Sequence, residues 1–138
     1  VVRLAVLGLA FAAAAPAARA QGREVFGRST ATLSRAVKAG GLVYGSGQLP
    51  ARGDSTIEAQ TTSALNNVKA AFEQAGTNMN NAVKCTVFLI DLKDFAGMNS
   101  AYGKFWSPEN PARSTVVVAA LVSPGAKLEI ECIAAVPR

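Results

Sequence analysis

The chain has 138 residues, half of them apolar and 7% aromatic, with 14 Lys or Arg against 9 Asp or Glu. That is the composition of a globular domain large enough to fold without metal or disulfide staples, and not of a disordered chain. Histidine is absent, which excludes Ser-His-Asp and Cys-His nucleophiles, histidine-based zinc sites and a histidine proton shuttle.

The first twenty residues differ from the rest. Arg3 precedes an unbroken apolar run from Leu4 to Ala15, Pro16 interrupts it, and Ala18 and Ala20 put small residues where a signal peptidase reads. A secretory signal over residues 1–20 is expected, cleaved before Gln21; an uncleaved anchor or a buried helix is the alternative. The run is shorter than the roughly 20 apolar residues that span a bilayer. Export to a bacterial periplasm or the exterior is therefore expected, with no stable membrane association after cleavage and residues 21–138 as one domain. The remaining cations stand singly among small and apolar residues, as on a solvated surface, so no nucleic-acid partner is expected.

Strand and helix signals then alternate. Ala36–Ala39 and Leu42–Pro50 flank Gly40-Gly41, the pattern of a hairpin whose second strand ends in a loop. Ser55 three residues ahead of Glu58 marks a helix start, Leu65, Val68, Phe72 and Ala75 recur at helical spacing, and Gly76 supplies a stop. This predicts a helix over Thr56–Ala75 with Gln60, Asn67 and Lys69 on its outer face. Ala82–Ile90 is rich in β-branched residues and reads as a strand covered on both faces at its apolar end. Phe95, Met98, Tyr102 and Phe105 share one face of a second helix, shortened by Gly97 and Gly103. Strands over Ser114–Leu121 and Lys127–Val136 close the domain. Cys85 and Cys132 both fall in strand runs; in an oxidising compartment they are either bridged or two separate buried thiols, because a bridge requires Cα atoms within about 7 Å.

The last strand alternates cleanly. Leu128, Ile130, Cys132, Ala134 and Val136 take one face and leave Lys127, Glu129 and Glu131 on the other, the two carboxylates roughly 7 Å apart at a rise of about 3.3 Å per residue. Arg113, on the strand expected to adjoin, is the natural counter-charge, since its planar fork grips a carboxylate bidentately. One reading is a structural Arg–Glu pair at a sheet edge. The other is an anion pocket in which Arg113 holds a small carboxylate-bearing substrate while a glutamate positions or deprotonates water.

Ser46-Gly47-Gln48-Leu49-Pro50, Gln60-Thr61, Asn67-Val68-Lys69, Val83 to Ile90 followed by Asp91-Leu92-Lys93-Asp94-Phe95, Asn99 and Tyr102, Pro111-Ala112-Arg113-Ser114 and Glu129-Ile130-Glu131 occur in an order that resembles the Rid family, also called YjgF. The resemblance covers nearly all of Ala31 to Val136. It implies an α+β, chorismate-mutase-like fold, a mixed six-stranded sheet backed by two helices, assembled as a homotrimer with sites between subunits. The implied reaction is hydrolysis of small 2-imino acids, formed from 2-enamino acids, to 2-keto acids and ammonia, with neither metal nor organic cofactor.

By the same resemblance, Arg113 binds the substrate carboxylate and Glu129 serves the attacking water, while Glu131 is structural. Ser46, Gly47 and Asn99 line the pocket, together with Thr115, where the family often has cysteine. The family's pocket tyrosine falls on Leu33, which has no phenolic donor. An exported trimeric module that binds small carboxylates without turning them over is the competing functional reading.

Overall fold

The computed structural model describes residues 22–27, 29–106 and 109–137; the expected leader over residues 1–20, with its cleavage point at Gln21, lies outside them. Six strands and two helices follow one another: β1 (Glu24–Phe26), β2 (Ala36–Ala39), β3 (Leu42–Gly45), α1 (Ile57–Gln74), β4 (Ala82–Leu89), α2 (Phe95–Tyr102), β5 (Ala112–Val117) and β6 (Leu128–Ala135). They form one mixed sheet in the order β1-β2-β3-β6-β4-β5. All neighbours are antiparallel except β4 and β5, which run parallel because the chain crosses over through α2 between them. Among the described residues no helix is long and apolar enough to cross a membrane.

The expected hairpin is present, with Gly40 and Gly41 both at positive φ in its turn. β3 stops at Gly45, and the chain touches β6 once more where Gln48 and Ile130 exchange backbone hydrogen bonds of 2.8 and 3.1 Å. Helix α1 starts at Thr56, whose hydroxyl accepts from the Ala59 amide at 3.2 Å; Ser55, the expected cap, lies one residue outside. Gly76 at φ 81° ends it as expected.

Apolar residues from both layers meet between the helices and the sheet: Leu65, Val68 and Phe72 of α1 and Met98 of α2 are buried against Val43, Val87, Leu89, Leu128 and Ile130. The other sheet face carries Tyr44, Thr86, Phe88, Glu129, Glu131 and Ile133, and neither helix covers it. β4 is thus covered on one face within this chain, and the expected cover on both is absent; Phe88 stays half-buried while Val87 and Leu89 are sealed.

Three expectations are corrected by long-range contacts. Gln60 is not on the outer face of α1: it is 3% exposed. Its Nε2 donates to the carbonyls of Asp54 and Gly125 at 2.8 and 3.0 Å, and its Oε1 accepts from the Lys127 amide at 2.7 Å. Asn67 is half-buried and donates to the Leu49 carbonyl at 3.0 Å, so only Lys69 is exposed as expected. Strand β5 begins at Ala112 and ends at Val117, which moves Arg113 from the strand's approach into its ladder. The two cysteines, left open between bridge and free thiols, are bonded: they are register partners on β4 and β6 with Cα atoms 4.1 Å apart. The three-residue β1, which carries no sequence signal of its own, adds the sixth strand.

Candidate functional site

Arg113 sits on the edge strand β5 beside Cys85 of β4, on the helix side of the sheet. Its guanidinium carbon lies 4.7 Å from the Tyr102 ring centroid and 6.0 Å from that of Phe95, and Nη1 is 3.9 Å from the Met98 sulfur. Phe95, Met98 and Tyr102 fall on one stripe of α2, which is why about two turns of helix can cradle the cation. Asn99, one turn after Phe95, sits beside the same stripe. Thr115 follows Arg113 by two positions on the same strand face, and its buried Oγ1 has no partner among the described residues. Among the described residues no carboxylate lies within ion-pair distance of Arg113.

Glu129 stands elsewhere. Its register partner is Phe88, on the sheet face away from the helices. The loop after β3 approaches it so closely that a Cβ on Gly47 would lie 2.8 Å from its carboxyl carbon. Ser46 is fixed beside it: its hydroxyl donates to the Ser34 carbonyl at 2.6 Å and its amide to the Arg35 carbonyl at 3.1 Å. Leu33 precedes that anchor and is exposed, held in a turn by the Thr30 hydroxyl, which accepts from its amide at 3.1 Å. Glu131 lies on the same face as Glu129 and is exposed.

Two corrections follow. The strand adjoining β6 is β4, not β5, so Arg113 is two strands away from Glu129. The two side chains also leave opposite faces of the sheet. The structural Arg–Glu pair is therefore absent within the chain, and the residues expected to act together form two separate groups. Arg113, Thr115 and Asn99 make one, against α2; Ser46, Gly47 and Glu129 make the other, on the uncovered face. Lys127 also leaves the row with the glutamates, pairing instead with Asp94 at 3.2 Å near the start of α2.

Electrostatics distinguish the groups. Burial pushes the Tyr102 phenol up to about 12, against the pull of the neighbouring Arg113 cation. In the turn between β4 and α2, Lys93 holds the Asp91 carboxyl below its ordinary range at 2.8 Å. Sequence reasoning placed Tyr102 on the right helix face but missed its contact with Arg113; aromatic spacing on α2 was the available signal. No cluster of three or more His, Cys, Asp or Glu able to hold a metal occurs among the described residues. Two clefts among the described residues are lined by neither Arg113 nor Glu129: one of about 400 Å³ runs between Pro50–Asp54 and Ser123–Ala126, floored by Gln60, and a smaller one of about 210 Å³ opens on the uncovered face beside Tyr44, Lys84 and Glu131.

A six-stranded sheet with two helices on one side and a polar half-site on each face defines a class of small α+β proteins. Residues 27–136 match the family model described as Endoribonuclease L-PSP. The chain belongs to this family, the YjgF/Rid family. It is 39% identical over 112 residues to the mitochondrial protein mmf1 of Schizosaccharomyces pombe, which spans 77% of this chain and 69% of that one. It is 42% identical over 107 residues to the chloroplastic Reactive Intermediate Deaminase A of Arabidopsis thaliana, covering 73% of this chain and 57% of the relative. Among solved structures it resembles E. coli TdcF with bound serine, with a TM-score of 0.75 at 33% identity over 83% of this chain and 99% of that one. The expected chorismate-mutase-like sheet and family are thereby established.

Proposed function

We propose that the protein hydrolyses small 2-imino acids to 2-keto acids and ammonium without a cofactor, at a site assembled between two copies of the chain within a homotrimer. The observation that carries this is the Arg113 guanidinium: over the Tyr102 ring, approached by no carboxylate among the described residues, and so available to a carboxylate from outside. A deaminase among the relatives and a serine-bound structural neighbour support a small amino-acid-like ligand. The uncovered sheet face bearing Ser46, Gly47 and Glu129 supports the assembly, since packed against a second copy it would bring Glu129 to a neighbour's Arg113.

In this reading Arg113 grips the carboxylate by two charge-assisted hydrogen bonds, with Thr115 and Asn99 beside it. A protonated imine is already electrophilic at carbon, so orientation and a held water supply most of what is required. The water oxygen bonds to the imine carbon as the C=N π pair moves to nitrogen. Glu129 takes a proton from the added water and passes it to the amine. The C–N bond then breaks as the carbon–oxygen double bond forms, the hydroxyl proton leaves with the amine, and the products are a 2-keto acid and ammonium.

Ammonia release from freshly generated iminopropanoate tests the proposal. Wild type is expected to exceed the buffer rate, with Arg113→Ala about a hundredfold lower in kcat/KM for loss of two charged hydrogen bonds. If both run at the buffer rate while pyruvate still binds, the carboxylate-binding module is the correct reading. Light scattering should give three times the subunit mass, and a monomer would remove half of every site. An RNA substrate gains little support: the cations are dispersed, and Lys38, Lys69, Lys93 and Lys127 are already paired with acids. Export to the periplasm or exterior belongs to the same proposal. The Cys85–Cys132 bond supports it, because such bonds persist in oxidising compartments; sequencing the mature protein should find Gln21 first.

A further inference from the structure

We propose that Tyr102 is a positioning residue for Arg113: its ring, with Phe95 and Met98 alongside, fixes the plane in which the guanidinium offers its paired N–H donors to a carboxylate. The inference rests on the reading that Arg113 receives the substrate carboxylate.

An arginine has four rotatable bonds and roughly 2 kcal/mol of rotamer entropy to lose on being fixed. A carboxylate of the same chain that did the fixing would occupy the fork. Here the guanidinium carbon lies over the Tyr102 ring, 4.7 Å from its centroid and 6.0 Å from that of Phe95, and Nη1 donates to the Met98 sulfur at 3.9 Å. One donor, Nη1, goes to the weakly accepting Met98 sulfur and no described carboxylate takes the others, so a ligand meets a cation already ordered.

Tyr102 is itself immobile: 4% exposed, with its ring 5.1 Å from that of Trp106. Its hydroxyl is buried without a partner among the described residues, so no hydrogen bond of the phenol to them explains the residue. With the phenol pushed up to about 12, the ring stays neutral at any pH where the protein works. What remains for the ring to supply is its face, and Arg113 lies on it.

Pyruvate titration by calorimetry and steady-state kinetics on iminopropanoate would be run on wild type, Tyr102→Phe, Tyr102→Leu, Phe95→Leu and Arg113→Ala. Tyr102→Phe keeps the face and should stay within about twofold of wild type in affinity and KM. Tyr102→Leu should weaken pyruvate binding and raise KM about tenfold, with kcat changed less than about threefold; Phe95→Leu, at the longer distance, should give about a twofold loss. Wild-type affinity in Tyr102→Leu, or a loss in Tyr102→Phe equal to that of Tyr102→Leu, overturns the inference. If Tyr102→Leu fails to fold, the more exposed Phe95→Leu decides, and an unchanged affinity there counts against it. Wild-type pyruvate affinity in Arg113→Ala removes the underlying reading and this one with it, whereas a loss confined to Arg113→Ala removes the positioning role alone.

Discussion

Gly47→Ala probes the approach of the β3 loop to Glu129. A methyl there would stand 2.8 Å from the Glu129 carboxyl carbon and 3.2 Å from its Cγ, with one carboxylate oxygen nearer still. Carbon atoms settle at about 3.5–4.0 Å, so the carboxyl carbon must retreat by about 0.7 Å or more and swing its oxygens farther. Gly47 is not at positive φ, so alanine meets no backbone penalty. The obstacle is the end of a flexible side chain, and turning it off its rotamer costs about 1 kcal/mol. A misplacement of about 1 Å in a group that holds the reacting water costs about a hundredfold in rate. The variant is therefore expected to fold with a Tm within a few degrees of wild type, about 4 °C per kcal/mol, and to bind pyruvate normally. Its kcat on iminopropanoate should fall about a hundredfold. A Gly47→Ala enzyme with wild-type kcat would refute the assignment of Glu129 to the water.

Three further outcomes follow from the same geometry. The Cys85–Cys132 bond closes a loop with a sequence separation of 47, worth about 4 kcal/mol in chain entropy, so Cys85→Ala/Cys132→Ala should lower the urea-unfolding free energy by about that amount; thiol titration of unfolded wild type should find the pair oxidised, and a loss below about 1 kcal/mol would mean the bridge constrains little. Gln60→Leu breaks three hydrogen bonds and orphans the Lys127 amide, for a loss of about 3 kcal/mol on urea unfolding, with Lys69→Ala near neutral as control. Tyr102 adds a pH dependence: its folded pKa of about 12 exceeds the ordinary 10.0, so its contribution is fully present below pH 10 and is lost as pH rises toward 12. Relative to Tyr102→Phe, wild type should lose about 2–3 kcal/mol across that window, and parallel pH curves for the two proteins would contradict the burial argument.

Much of the sheet was legible because its inner strands obey a period of two. Leu128, Ile130, Cys132 and Ala134 announced a buried face, and Glu129 and Glu131 an open one, before any partner was known. What the residues did not reveal depends on segments distant in the chain. Gln60 reads as solvent-facing by amphipathicity, yet the Gly125 carbonyl and the Lys127 amide, far off in sequence, and the nearby Asp54 carbonyl required a buried amide between them. Strand order is a property of the whole sheet: β4 inserts between β6 and β5, and with it the expected Arg113–Glu129 neighbourhood disappears. Pairing of Cys85 with Cys132 waits on the register of that same insertion. Thr56 displaced Ser55 as the cap through a shift of one residue in where helical geometry begins.

Placing Arg113 and Glu129 back to back across one sheet has a genetic consequence. If the site forms between copies as proposed, a chain lacking the first and a chain lacking the second would each be inert alone, yet co-assembled each would donate what the other is missing. Mixed Arg113→Ala and Glu129→Gln subunits would then regain turnover through intact junctions between unlike copies, so the two defects would complement one another although both lie in a single gene.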